Sequence, residues 1–234
     1  MQQRWMVGAS TVLVLAMAHA ASAANIVVNP GFSSGNSDFS SSYAPAPGPN
    51  PPGPFGACSA EGVFQITTDP HSCHAAWASF GDHTTGTGNM MAVNGAPVPG
   101  VAVWSQNVSV IPNTTYYFSA WVATVHPSSP AQLNFSINGS AIGSTFQANS
   151  STGVWDLFFA PWFSGANVAA QIAILNQNTT QDGNDFALDD IGLDDSRPGG
   201  GTDTTPVPEP ATLTLLAAGL AGLAARRRKA ERKA

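Results

Sequence analysis

Leu133-Asn134-Phe135-Ser136-Ile137-Asn138-Gly139 alternates apolar with polar side chains and then breaks on Asn-Gly. A period of two puts Leu133, Phe135 and Ile137 on one face of an extended chain, as a half-buried strand requires. Asn-Gly supplies the two positive-φ positions of a tight turn, the strongest short-range hairpin signal. The stretch predicts a pair of antiparallel strands.

Moving outward, the neighbouring segments carry the same pattern. Residues 116–125 are rich in aromatic and β-branched side chains, which suit a pleated surface. Residues 102–110 place Ala102, Trp104, Gln106, Val108 and Val110 on one face. Residues 154–159 and 168–175 predict two more strands, and 186–193 the last. Residues 25–29 predict the first. No segment between the termini sustains a helical period. The reading is an all-β antiparallel sandwich spanning residues 24–196. Within it, residues 33–54 hold Pro45, Pro47, Pro49, Pro51, Pro52 and Pro54 among Ser, Gly and Asn, which predicts a flexible loop.

The termini differ in kind. Arg4, the apolar residues 5–18 and Ala21-Ser22-Ala23 have the order of a secretory signal peptide, residues 1–23, cut by signal peptidase. The competing reading is an ordinary N-terminal helix, but nothing after Ala23 continues an apolar helix. At the other end, Gly199-Gly200-Gly201 and several threonines make residues 197–206 a linker. Val207-Pro208-Glu209-Pro210 follows, then the apolar run 211–225, then Arg226-Arg227-Arg228-Lys229. A spanning helix usually takes about 20 apolar residues, so this one is short. The basic cluster stays cytoplasmic by the positive-inside rule, leaving the sandwich outside.

Charge excludes one class of partner. Between Trp5 and Ser196 there is no Lys or Arg, whereas that stretch holds ten aspartates and Glu61. Without a basic patch there are no counterions to release, so nucleic acid is excluded. Anionic ligands find no Arg fork, and divalent cations become plausible. Cys58 and Cys73 are the only cysteines. In an exported chain they predict one disulfide closing a loop of about 15 residues, with a metal site alongside His71 and His74 as the alternative.

The C-terminal order of Pro208-Glu209-Pro210, apolar helix and Arg226 to Lys229 resembles the PEP-CTERM sorting signal of Gram-negative bacteria, here residues 207–230. The resemblance implies processing by an exosortase. It also implies a transient stay in the inner membrane, then delivery to the cell surface or extracellular matrix. The sandwich resembles the galactose-binding-like jelly rolls, including carbohydrate-binding modules. Asn25-Ile26-Val27-Val28-Asn29-Pro30-Gly31-Phe32 is similar to their opening strand and Phe186-Ala187-Leu188-Asp189-Asp190-Ile191-Gly192-Leu193 to their closing strand. Many such jelly rolls hold a structural calcium ion between these strands, which implies Asp189 as a calcium ligand, with Asp189 and Asp190 as capped strand-end carboxylates the alternative. The usual Gly-Phe-Glu triplet is Gly31-Phe32-Ser33 here, so one carboxylate is missing.

Three sets of side chains are candidates for function. Sugars stack on Trp and Tyr while nearby carboxylates and amides bond their hydroxyls. Trp77, beside Asp82 and His83 in a loop-like stretch, is the sugar-facing candidate; an aromatic buried in the core is the ordinary alternative. His71, His74, Asp82 and His83 could bind zinc or supply acid–base chemistry. Their spacing matches no hydrolase motif, and His83 ordering a loop is the plainer reading. The nucleophile-elbow, metalloprotease and phosphate-loop patterns are all missing from the sequence. The expectation is a non-enzymatic surface or matrix protein with a lectin-like role toward a surface or extracellular polysaccharide. The alternatives are a dedicated carbohydrate-binding module and a hydrolase using the histidine cluster.

Overall fold

The computed structural model describes residues 25–47 and 55–198. The signal peptide, residues 48–54 of the proline-rich loop, the sorting motif and its apolar run lie outside the described residues. Among the described residues no helix is long and apolar enough to cross a membrane.

Among the described residues ten strands follow in order: β1 Ala44–Pro45, β2 Val63–Thr67, β3 Met90–Asn94, β4 Val101–Ser109, β5 Thr115–Thr124, β6 Gln132–Ile137, β7 Ser140–Gln147, β8 Trp155–Phe163, β9 Ala169–Asn176 and β10 Phe186–Asp194. One 3-10 turn, Pro70–Ser72, is capped by the Asp69 side chain. The strands form a six-stranded sheet, β1-β2-β3-β10-β5-β8, and a four-stranded sheet, β4-β9-β6-β7. Apart from the parallel β1–β2 pair, the ladders are antiparallel. This is an all-β jelly-roll sandwich.

The hairpin signal is realised between β6 and β7. Asn138 (φ 52°) and Gly139 (φ 77°) supply the two left-handed positions of the turn. Leu133, Phe135 and Ile137 all point into the core. Between the sheets the Phe135 and Phe158 rings stack with centroids 3.5 Å apart. Trp104, Phe118, Ile172, Ile174, Phe186 and Leu188 close the same core. Each such side chain, fully buried, contributes about 1.5–3 kcal/mol.

A second cluster lies apart from this core. Trp77, Met90, Ala92, Val125, Ala187 and the two cysteines pack together, with Phe80 and Trp155 against them. The excursion between β2 and β3 is thus folded onto the sheet, and β3 is buried along its whole length. The Cys58–Cys73 disulfide forms, with Cα atoms 5.2 Å apart.

Three expectations are corrected. Residues 25–29 are not a strand. Asn25 turns its carboxamide to the Ile191 carbonyl and accepts the Leu193 N–H, taking ladder positions with a side chain. Asn29 and Phe32 then adopt positive φ, 56° and 55°, which bends the chain away. Residues 33–47 are not a free loop: Ser40 bridges Ser105, and Ala44–Pro45 adds a strand to β2. In β4, an irregularity between Ala102 and Trp104 breaks the simple alternation, so Val103 is buried beside Trp104.

Candidate functional site

The residues singled out in the sequence fall into two separate places. His83 lies against the closing strand. Its backbone N–H donates to Asp189 Oδ2 at 2.9 Å, and its ring Nδ1 lies 2.7 Å from Asp190 Oδ2. The imidazole stacks on Trp121, centroids 3.7 Å apart. The Thr84 hydroxyl also bonds Asp190. Asp82 accepts the N–H groups of Thr85 and Gly88 and the Thr85 hydroxyl. Burial works against its charge, and these donors outweigh it and hold the carboxyl below the usual carboxylate range. Asp82, His83, Asp189 and Asp190 therefore pin one loop across β10, where a bulge separates Asp189 from Gly192.

Asp189 is 1 % exposed. Its Oδ1 accepts the Asp190 N–H at 2.9 Å, and its Oδ2 is taken by His83. Burial first, and the Asp190 charge second, push its carboxyl up to about 6. Calcium takes six to eight oxygens. Here both Asp189 oxygens are already bonded and residue 33 is Ser. Among the described residues no group of three or more metal-ligating side chains comes together.

Trp77 is not sugar-facing. It is 2 % exposed, and its indole N–H donates to Asp185 Oδ2 at 3.0 Å. It lies instead beneath a stack: the His74 ring sits 5.1 Å from Trp77 and 5.2 Å from Phe55. His71 turns its Nδ1 to the Trp77 carbonyl at 2.8 Å. Among the described residues, neither His71 nor His74 has a hydrogen bond or ring contact with His83, so the histidine cluster is divided.

Above that stack opens a cavity of about 280 Å³, lined among others by Phe55, Glu61, His74, Asn94, His126 and Asp185. It sits at one end of the six-stranded sheet. Glu61 immediately precedes β2, Asn94 ends β3, His126 follows β5, and Asp182 and Asp185 lead into β10. The disulfide-closed excursion brings Phe55 and His74, and Asn94 Nδ2 ties it down by donating to the Cys58 carbonyl at 2.7 Å. Gly183 (φ 98°) makes the close turn on the wall: a Cβ there would collide with the Ser128 carbonyl.

The cavity is polar and unsaturated. Glu61 Oε2, Asn94 Oδ1 and His126 Nδ1 are buried atoms without a hydrogen-bond partner among the described residues. Phe55, at 51 % exposure, offers an apolar face. Burial raises the Glu61 carboxyl. Burial also pushes Asp185 up to about 7, against the bonds from Trp77 and Gly95 and with help from Glu61 and Asp182. Burial, and then His126, lowers His74. Sequence reasoning missed Phe55, Glu61, Asn94, His126, Asp182 and Asp185. One signal was there: Glu61 is the single glutamate between Ala24 and Ser196.

Residues 206–229 match the family described as the PEP-CTERM protein-sorting motif. The chain is therefore an exported protein that passes through a membrane-anchored sorting intermediate. No curated protein matches it. Among solved structures, the sandwich is similar to the Stig cyclase Fisc of Fischerella sp. TAU, with 11 % identity over 74 % of this chain and 98 % of that one, TM-score 0.50. It is also similar to the CBM22-1 xylan-binding domain of Paenibacillus barcinonensis Xyn10C, with 15 % identity over 75 % and 97 %, TM-score 0.46. A third is TmCBM61 in complex with β-1,4-galactotriose, with 16 % identity over 73 % and 97 %, TM-score 0.45. The likeness is one of fold.

Proposed function

We propose that this exported protein acts at the cell surface or in the extracellular matrix as a lectin-like, non-enzymatic binder of polysaccharide. One observation carries the reading: the loop-end cavity combines a half-exposed aromatic face, Phe55, with polar atoms that lack partners among the described residues. A sugar ring offers the complement of both, C–H groups for the aromatic face and hydroxyls for the polar atoms. A buried polar atom left without a partner costs about 1–3 kcal/mol, so a ligand that bonds it gains affinity.

The non-enzymatic part rests on the divided histidines and on Asp185. His83 is committed to Asp190 and Trp121. Both Asp185 oxygens accept hydrogen bonds, from Trp77 and from the Gly95 N–H at 3.3 Å. These commitments support the non-enzymatic reading.

A glycan array probed with the processed, exported protein tests this. Binding to at least one polysaccharide class is expected, weakened roughly tenfold or more in Phe55→Ala, a loss of about 1.4 kcal/mol. Retained binding in that variant would move the site elsewhere. Release of new reducing ends from the bound glycan would contradict the non-enzymatic reading.

A further inference from the structure

We infer that the loop-end cavity selects a sugar carrying a free, protonated amine over neutral, N-acetylated or acidic sugars. The inference rests on the reading of that cavity as a glycan site, and it follows from what the walls have left to offer. Several donors there are spent, leaving the His74 and His126 rings and the Gln181 amide. The Asn94 amide N–H is given to the Cys58 carbonyl, and the Ser59 hydroxyl to the Gly56 carbonyl. The Trp77 and Gly95 N–H groups are both given to Asp185.

Two acceptors are not spent. Asn94 is 5 % exposed, lines the cavity, and among the described residues its carboxamide oxygen has no partner. Glu61 Oε2 has none either. With Asp182 and Asp185 the walls carry three carboxyl groups, and no Lys or Arg occurs anywhere between Trp5 and Ser196 to balance them. A hydroxyl brings one hydrogen to such a site, whereas an ammonium group brings three and a charge. Hydrogen bonds between ionised partners are about twice as strong as neutral ones. Phe55 adds a face on which a cation or the C–H side of a ring can rest. A carboxylate sugar would meet like charge with no Lys or Arg to mediate. The upward displacement of the Glu61 and Asp185 carboxyls agrees, since a bound cation would relieve that crowding.

Calorimetric titration of the exported protein at pH 6 and physiological salt tests the inference. The probes are glucosamine and its β-1,4 oligomers, the matching N-acetylated oligomers, cello-oligosaccharides and oligogalacturonate. The glucosamine oligomers should bind roughly tenfold or more tighter than the N-acetylated and neutral ones, with no binding of the uronate. The monomer arm shows whether one ring suffices or a polymer is required; preference for the amine in either supports the inference. Glu61→Gln and Asp182→Asn should each remove the preference, while Asp38→Asn, outside the cavity, should keep it. Equal loss in Asp38→Asn would show general attraction to an acidic surface and overturn the inference. Neutral sugars that bind as tightly, with Phe55→Ala weakening them, would overturn the selectivity and leave the glycan site standing. No binding of any of these sugars, nor of any glycan on the array, would overturn the glycan site itself.

Discussion

The Trp77 indole N–H donates to Asp185 Oδ2 at 3.0 Å, joining positions 108 apart in sequence. This bond fixes the disulfide-closed excursion to the start of β10. It also sets the floor of the cavity, because Trp77 supports the His74 ring from below.

Trp77→Phe keeps most of the packing and removes the donor. It leaves the buried Asp185 with one fewer partner and should cost about 1–3 kcal/mol. Phe55→Ala, at a half-exposed position, should leave stability almost unchanged and act on binding alone. Denaturant unfolding of the two variants separates floor from lining, and similar losses in both would contradict the division.

Stability should rise as pH falls. Burial raises Asp185 in the folded state from 3.8 to about 7, so the folded protein binds the proton more readily than the unfolded chain. That contribution is fully present below the unfolded value of about 4 and is lost as pH rises through about 7. Asp189, raised to about 6, acts with the same sign, and His74, lowered by burial, with the opposite and smaller one. A gain of roughly 2 kcal/mol, or about 4–8 °C in melting temperature, is expected between pH 8 and pH 5. Asp185→Asn should flatten the profile. A melting temperature that rises with pH over this window would contradict the assignment.

Much of the sandwich could be read from the sequence, and the exceptions have one physical origin. β6 alternates because one face meets the core and the other meets solvent. The Asn138-Gly139 turn follows from its own residues. β3, Met90–Asn94, shows no alternation because the folded excursion covers its second face, so the strand pattern fails there. The opening segment has strand-like side chains, but Asn25 competes for the backbone ladder, and that contest is visible only in three dimensions. Trp77 reads as sugar-facing from its loop-like stretch, but it is buried against Asp185, which the sequence does not place beside it. The cavity itself is built from five separate chain segments and no local pattern marks it.

Replacing both Cys58 and Cys73 by Ser should destabilise the protein by about 3 kcal/mol, the chain-entropy value for a loop of this size. The sequence separation is 15 residues. Because Cys58 also holds Asn94 through its carbonyl, glycan affinity should fall in the same variant. Unchanged affinity would show that the cavity does not depend on the closed excursion.

His83→Ala should cost about 1–3 kcal/mol, from the lost contact with Asp190 and the lost stack on Trp121. Trp121 should then become accessible to a fluorescence quencher. Since both Asp189 oxygens are engaged by N–H groups, excess chelator should leave the melting curve of the unaltered protein unchanged. A rise with calcium would show that those oxygens open to receive an ion.

The most direct test of the account follows the four histidine ring signals of the processed protein by nuclear magnetic resonance during titration with the glycan that binds best. His74 and His126 line the cavity, whereas His83 is stacked on Trp121 away from it. The His74 and His126 signals should shift and saturate together while the His83 signal stays in place. A shift at His83 with His74 and His126 unmoved would contradict the cavity as the binding site.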